Sequence, residues 1–473
     1  MKSRWTATAM CALVIAGGCS SDRNSGAVSL SIIGDRAALV TPSTAQGLVA
    51  FDADGQLEPA LAERWIVSDD GLSLAFRLAR TTWTNNKPII AADVVYSLKQ
   101  SFARAPQGRL GQLFSAVEDV VPMTDRVIEI RLKQPRPNML QLLAQPEFGV
   151  THMGMGAGPY TADRPSRGYV TLHQVKARDG SDDSLSDEQL KARDIKVRGE
   201  SAALAIARYT QGQAQAVLRG TFETYPLVRA AQIQRNKMII DPAQGLFGLA
   251  FVSHSTFTGD PALREALSMV LDRPALGQLL DLPNGQMRET ILPAQLDSAA
   301  PPTIPDWTQL GLADRRAEAA LRIRKWAVAH KGTPQIRLAQ MDGPGGRLLF
   351  ARLAADWRMI GVTVLSASKG EPADLRLIDE VAPSASANWY FTRLSCEMGV
   401  TCDKASKAAL AMARESQTLA GRALAYSQTD EAYARNAPFI PLGNPYRWNL
   451  TSAGLVGLHP SPFATHPLIH LRG

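Results

Sequence analysis

The sequence predicts a mixed α/β protein of more than one domain, and three observations carry that reading. Strand-like alternation and helix-like periodicity take turns along the chain. No repeat of about 20–50 residues is present, which sets solenoids and propellers aside. At 473 residues and 45% hydrophobic content, the chain can fill about three domain-sized cores.

The elements follow in order. Residues 28–33 read as a short strand. Leu74-Ala75-Phe76-Arg77-Leu78 alternates apolar and polar as a half-buried strand does, behind the turn signal Asp69-Asp70-Gly71. Residues 91–102 read as a helix with Val94, Val95, Leu98 and Phe102 on one stripe. Asp93 is placed to cap or salt-bridge near the start of that helix. Residues 127–132 alternate again and stop at Pro135-Arg136-Pro137. Leu57, Leu61, Trp65, Leu74 and Phe76 are expected to share one core. The glycine-dense segment 154–160 reads as a flexible connection and the acidic, Ser-rich 179–187 as an exposed loop. Residues 246–252 are an apolar run suited to a buried strand. Asp260 and Pro261 open a helix as cap and first residue, with Leu263, Ala266, Leu267, Val270 and Leu271 on its buried face. Helices are expected at 313–329 and 347–360 with a strand at 336–339 between them. Gly343-Pro344-Gly345-Gly346 reads as a tight turn before the second helix.

The N-terminus resembles an export signal. Lys2 and Arg4 precede an apolar stretch too short to span a bilayer, and Ala16-Gly17-Gly18-Cys19 resembles the lipobox of bacterial lipoproteins. Residues 1–18 would be removed, Cys19 lipidated and 19–27 left as a polar tether, placing the protein on the periplasmic or cell-surface face, anchored to the membrane. An ordinary secretory signal followed by an unrelated Cys is the alternative, and it too exports the chain. Cys396 and Cys402 remain as an even pair in a compartment that permits disulfides, with Gly399 between them, and are expected to form one.

The formal charge of +7 falls to about +5 once Lys2 and Arg4 leave, and no run of Lys and Arg interleaved with aromatics accompanies it. Nucleic acid is therefore not an expected partner. The chain has no Gly-x-Ser-x-Gly elbow, His-Glu-x-x-His pair or phosphate-binding glycine loop, and Pro159 spoils Gly154-x-Gly156-x-Gly158 as a dinucleotide motif. Binding rather than catalysis is the expectation. His459, His466 and His470 lie near the C-terminus, but Pro460, Pro462 and Pro467 deny them a helical ligand face, so no metal and no cofactor is expected.

Several blocks, in this order, resemble the family 5 extracellular solute-binding proteins, the peptide- and nickel-type receptors of bacterial ABC importers. The densest is Gly55-Gln56-Leu57-Glu58-Pro59-Ala60-Leu61-Ala62-Glu63-Arg64-Trp65, followed by Ser68-Asp69-Asp70-Gly71-Leu72 and Ala91-Ala92-Asp93-Val94-Val95-Tyr96-Ser97-Leu98. Gly156-Ala157-Gly158-Pro159-Tyr160, the helix from Asp260 to Asp272-Arg273, and Ile360-Gly361-Val362-Thr363-Val364 complete the set. The resemblance implies a two-lobed periplasmic-binding-protein-like fold of type II, with an extra subdomain in the larger lobe and a two-strand hinge. Lobe I would hold 28–246, including the subdomain at about 55–150; lobe II would hold 247–439; and 440–473 would return to lobe I. Ligand would enter between open lobes and favour the closed state, which would dock on an ABC permease.

The same resemblance suggests the site. A Trp-x-x-Asp-like segment of peptide-type members, whose carboxylate holds a peptide amino terminus, corresponds here to Ala373-Asp374-Leu375-Arg376-Leu377-Ile378-Asp379-Glu380. The Trp is missing, and Asp379 or Glu380 is the candidate for an ammonium group. Trp389, Tyr390 and Trp448 are candidate cleft aromatics, and Arg393 and Arg447 candidates for a ligand carboxylate. Segment 35–46 is shorter than its family counterpart, and the family's Asn-x-x-Tyr-Trp after Tyr160 is replaced by His173-Gln174-Val175-Lys176-Ala177. The expected function is a lipid-anchored, monomeric receptor that captures a small solute, a peptide first, for an ABC importer. The alternative is a lipoprotein scaffold or sensor on the same fold that has lost transport.

Overall fold

The computed structural model describes residues 27–105, 110–166, 168–176, 185–283 and 285–472. The signal, Cys19 and most of the acidic loop at 179–187 lie outside these residues. No helix among the described residues is long and apolar enough to cross a membrane.

Two large sheets organise the chain. The first has seven strands in the order Tyr160–Ala162, Val170–Gln174, Ile195–Glu200, Val28–Ile33, Ala216–Thr221, Arg447–Thr451 and Met238–Asp241. Val28–Ile33 runs parallel to both of its neighbours, while the flanking pairs are antiparallel. The second sheet runs Thr363–Ala367, Gln335–Ala339, Leu375–Val381, Gly245–Phe251 and Phe439–Gly443. A third, antiparallel sheet of four strands, Ala62–Val67, Ser73–Leu78, Val127–Leu132 and Val117–Thr124, forms the subdomain.

Local pattern explains most of these elements. Leu74, Phe76 and Leu78 alternate inward, and Leu61, Leu74 and Phe76 share a core against which Leu57 and Trp65 pack. The helix Ala91–Arg104 buries Val94, Val95 and Leu98. Asp93 in its first turn accepts the Trp83 Nε1 proton at 3.2 Å instead of capping the helix. Asp260 caps Pro261–Met269 through the Ala262 N–H at 2.9 Å, and Asp272 caps Arg273–Leu279 through the Ala275 N–H at 3.1 Å. Cys396 and Cys402 are bonded to each other, their Cα atoms 5.5 Å apart.

The structure departs from the sequence reading in three places. Both passages between the large sheets are short connectors, 242–244 and 444–446, whereas crossing strands are expected at 246/247 and 439/440. Pro242 and Pro445 supply the reason, since neither can donate to a ladder. The segment at 154–160 is packed, not loose: its Met155–Gly156 pairs with Thr151–His152 in a small hairpin, and a Cβ on Gly156 or Gly158 would overlap the backbone at Ser43–Ala45. The turn at Gly343 is the first turn of a helix, Gly343–Arg358. Glycine is needed there because a Cβ on Gly343 or Gly345 would strike the Phe222–Glu223 backbone.

The subdomain also shares a core with lobe II. Leu113 and Phe114 belong to the same buried cluster as Trp389, Tyr390 and Phe391 of the helix Ala387–Arg393. Gln145 Nε2 donates to the Pro383 carbonyl at 2.9 Å, and the Ala385 N–H to Gln141 Oε1 at 3.1 Å.

Candidate functional site

A cavity of about 750 Å³ lies between the two large sheets. Its lobe I wall is built from the helix Ala37–Thr44, the ends of Ala216–Thr221 and Met238–Asp241, and the C-terminal segment 463–469. Lobe II contributes residues 379–383, where Leu375–Val381 ends. Strand ends leave backbone and side chains facing a crevice, which is where α/β folds place ligands.

The two lobes meet across the cavity in an ion pair. Arg447 pairs with Thr221 and Asp241 in the first sheet, while Asp379 pairs with Phe247 in the second. Arg447 Nη1 lies 2.8 and 2.9 Å from the two Asp379 carboxylate oxygens, and Nη2 donates to the Asp379 carbonyl at 2.8 Å. Both side chains are nearly buried. Burial pushes the Asp379 carboxyl up from its ordinary value, and the Arg447 guanidinium pulls the other way.

Glu223 stands on the lobe I wall beside this pair. Burial, then the neighbouring Asp379 and Asp342 carboxylates, push it up to about 7, against an Asp342 N–H that favours its charged form. Its main chain is fixed by the Gly345 N–H, which donates to the Glu223 carbonyl at 2.8 Å across the lobes. Deeper in the wall, Asp241 Oδ2 lies 3.2 Å from His466 Nε2 and 3.0 Å from Asn449 Nδ2. Asp241 Oδ1 accepts the Ser461 N–H at 2.9 Å. His466 Nε2 also lies 3.0 Å from Asn449 Nδ2, and its Nδ1 is buried with no hydrogen-bond partner among the described residues.

The candidate residues separate on this geometry. Asp379, Glu380 and Arg447 line the cavity. Trp389 and Tyr390 do not: the helix Ala387–Arg393 buries six of its seven residues, and both rings lie in the core shared with the subdomain. Trp448 is buried under Gly220 and donates its Nε1 proton to the Thr221 carbonyl at 2.9 Å, so it shapes the sheet and not the cavity surface. Arg393 lies outside the lining, and its Nε donates to Glu380 Oε2 at 2.7 Å in a forked pair. His459, His466 and His470 each face a different carboxylate, Asp54, Asp241 and Glu58. No cluster of three metal-ligating side chains occurs among the described residues. Glu223 and Asn449 were not foreseeable as site residues, because nothing in their local sequence marks them. His466 carried only a metal-ligand reading.

Comparison with known proteins agrees with this architecture. The family model described as bacterial extracellular solute-binding proteins, family 5 Middle, matches residues 56–390. The probable ABC transporter periplasmic-binding protein SapA of Escherichia coli is 22% identical, covering 86% of this chain and 82% of its own length. The dipeptide-binding protein DppE of Bacillus subtilis is 29% identical over 22% of this chain and 22% of its own length. Among solved structures, Haemophilus influenzae OppA in complex with the peptide RPPGFSPFR superposes with a TM-score of 0.78 at 15% identity, covering 94% of this chain and 99% of that one. NikZ of Campylobacter jejuni with Ni(L-His) gives 0.74 at 18% identity, covering 95% of this chain and 100% of that one.

Proposed function

The chain belongs to the family 5 extracellular solute-binding proteins, and from that premise we propose that it captures a peptide-type solute between its lobes and delivers it to an ABC permease. Lipid at Cys19 would hold it, as a monomer, beside that permease on the outer face of a bacterial membrane. The observation that carries the reading is the cavity of about 750 Å³ with walls from both lobes. A ligand touching both walls binds the closed arrangement better than the open one, which is the free-energy source for closure. The cavity's size suits a small solute or short peptide.

Native mass spectrometry of the full chain carrying Cys19→Ser, purified from a periplasm, tests this directly. Co-purifying short peptides support the reading, and one defined non-peptide mass replaces the substrate while keeping the receptor. Cys19→Ser should also move the protein from the membrane to the soluble fraction, and retention on the membrane would remove the lipid anchor.

One observation favours the second reading, a scaffold or sensor that has lost transport. Asp379, the candidate for a ligand ammonium, is already satisfied by Arg447. An empty protein without thermal shift in peptide pools would select that reading.

A further inference from the structure

The charged groups that line the cavity are already answered from within the protein. Asp379 is held by Arg447 and Glu380 by Arg393, while Glu58 faces His470 at 3.3 Å. Asp241 accepts from Asn449 Nδ2 and from the Ser461 N–H. Glu147 and Arg219, on the same wall, are engaged as well. Glu223 accepts the Asp342 N–H, and burial beside two carboxylates pushes it up to about 7, so much of it is uncharged at neutral pH. A ligand ammonium or carboxylate entering this space gives up its water and must first break one of these pairs, above all Asp379 with Arg447.

The rest of the wall is apolar. The helix Ala37–Thr44 carries no charged residue, and its Ala37, Ala38 and Pro42 line the cavity. Ala37 is exposed and the other two half-buried, so their surfaces are open to whatever enters. Phe463 lines the cavity too, half-buried, its ring stacked on the buried Phe51 with centroids 4.5 Å apart. Lobe II adds Val381, Ala382 and Pro383. Apolar surface from both lobes, beside charges that meet one another, complements a solute that brings no charge of its own.

We propose that the cleft takes an uncharged, largely apolar solute, with neither a free ammonium nor a free carboxylate, seated on Ala37, Ala38 and Pro42 of the wall helix and on Phe463. This rests on the receptor reading above and names the solute class of the same cavity: among peptides, end-blocked or cyclic ones. It replaces capture of an ammonium by Asp379. Burial of apolar surface from both lobes then drives closure, and the Asp379–Arg447 pair stays intact beneath the ligand.

The test is calorimetric titration of the Cys19→Ser chain, stripped of bound solute, with acetyl-Ala-Leu-Ala-amide, free Ala-Leu-Ala and the uncharged probe N-phenyl-1-naphthylamine. The blocked peptide should bind at least about tenfold tighter than the free one. Its affinity should be insensitive to salt, because no charge pair forms on binding. Phe463→Ala should weaken it about tenfold through lost apolar contact. Ala37→Asp puts a charge on the wall at a helix N-terminus, where folding tolerates it, and should weaken the blocked peptide without lowering the melting temperature. Free peptide binding as tightly as blocked peptide, or tighter, overturns this inference and leaves peptide capture standing. Unchanged affinity of the blocked peptide in both variants also overturns it. Binding of the naphthylamine alone, weakened by Phe463→Ala, sustains it and removes the peptide reading. Binding of none of the three overturns both.

Discussion

Two of the seams that join lobe II to the rest of the molecule are made of different materials. At the cavity the lobes meet through charge, Asp379 against Arg447, beside a short backbone contact from Gly345 to Glu223. At the subdomain they meet through a continuous apolar core, in which Phe114 and Trp389 belong to one cluster. Separated charges regain water, whereas separated apolar faces lose about 25 cal/mol per Å² of burial. The difference teaches that the polar seam is suited to opening, and that the cost of opening is set by the apolar cores that the lobes share.

The largest expected effect probes the apolar seam. Trp389→Ala should cost about 4 kcal/mol in urea unfolding, because it leaves a large cavity in the shared core. A loss below about 1 kcal/mol would break the comparison, since burying a Trp in a dry core cannot be worth so little. Arg447→Met comes next. It leaves Asp379 buried and unpaired, at a cost of about 3 kcal/mol at pH 7. That variant raises the folded-state carboxyl further above its unfolded value, so the loss should shrink towards pH 4. Adding Asp379→Leu should recover most of the stability, and failure to do so would mean that the pair is not the polar seam's main contact.

A smaller effect sharpens the polar side. Glu223 holds its proton more tightly folded than unfolded, so it lowers stability as pH rises from its ordinary range through about 7. Glu223→Gln should therefore gain about 1 kcal/mol at pH 8, allowing for its partial exposure, and nothing at pH 4. The smallest belongs to His470, which Glu58 raises above the ordinary histidine value. Its contribution is complete below the unfolded value and disappears as pH climbs through the folded one. His470→Gln should cost about 0.5 kcal/mol at pH 5.5 and nothing at pH 9 by thermal melting.

The scaffold was legible wherever the signal is local. The inward alternation of Leu74, Phe76 and Leu78, and the Asp260 cap, depend on residues a few positions apart. Distant partners escaped. The glycines at 156 and 158 read as slack because composition cannot show the Ser43–Ala45 backbone lying against them. The site was less legible still. Asp379 and Arg447 could be singled out, but not that they would occupy each other. Trp389 and Tyr390 carry aromatic rings equally suited to a cleft or a core, and only tertiary packing decides between them. Glu223 follows a strand end like any surface acid until Asp342 and Asp379 are brought beside it from lobe II.

The late position of Arg447–Thr451 in the chain dictates an order of assembly. This strand sits between Ala216–Thr221 and Met238–Asp241, so the first sheet stays divided until almost the last residues are made. Lobe II, threaded between its two halves, is complete earlier. The sheet begun at residue 28 is thus among the last to be closed, and such distant pairing makes for slow folding. A chain threaded through a channel from its N-terminus would meet the same delay, unable to complete its first lobe before Arg447–Thr451 had emerged.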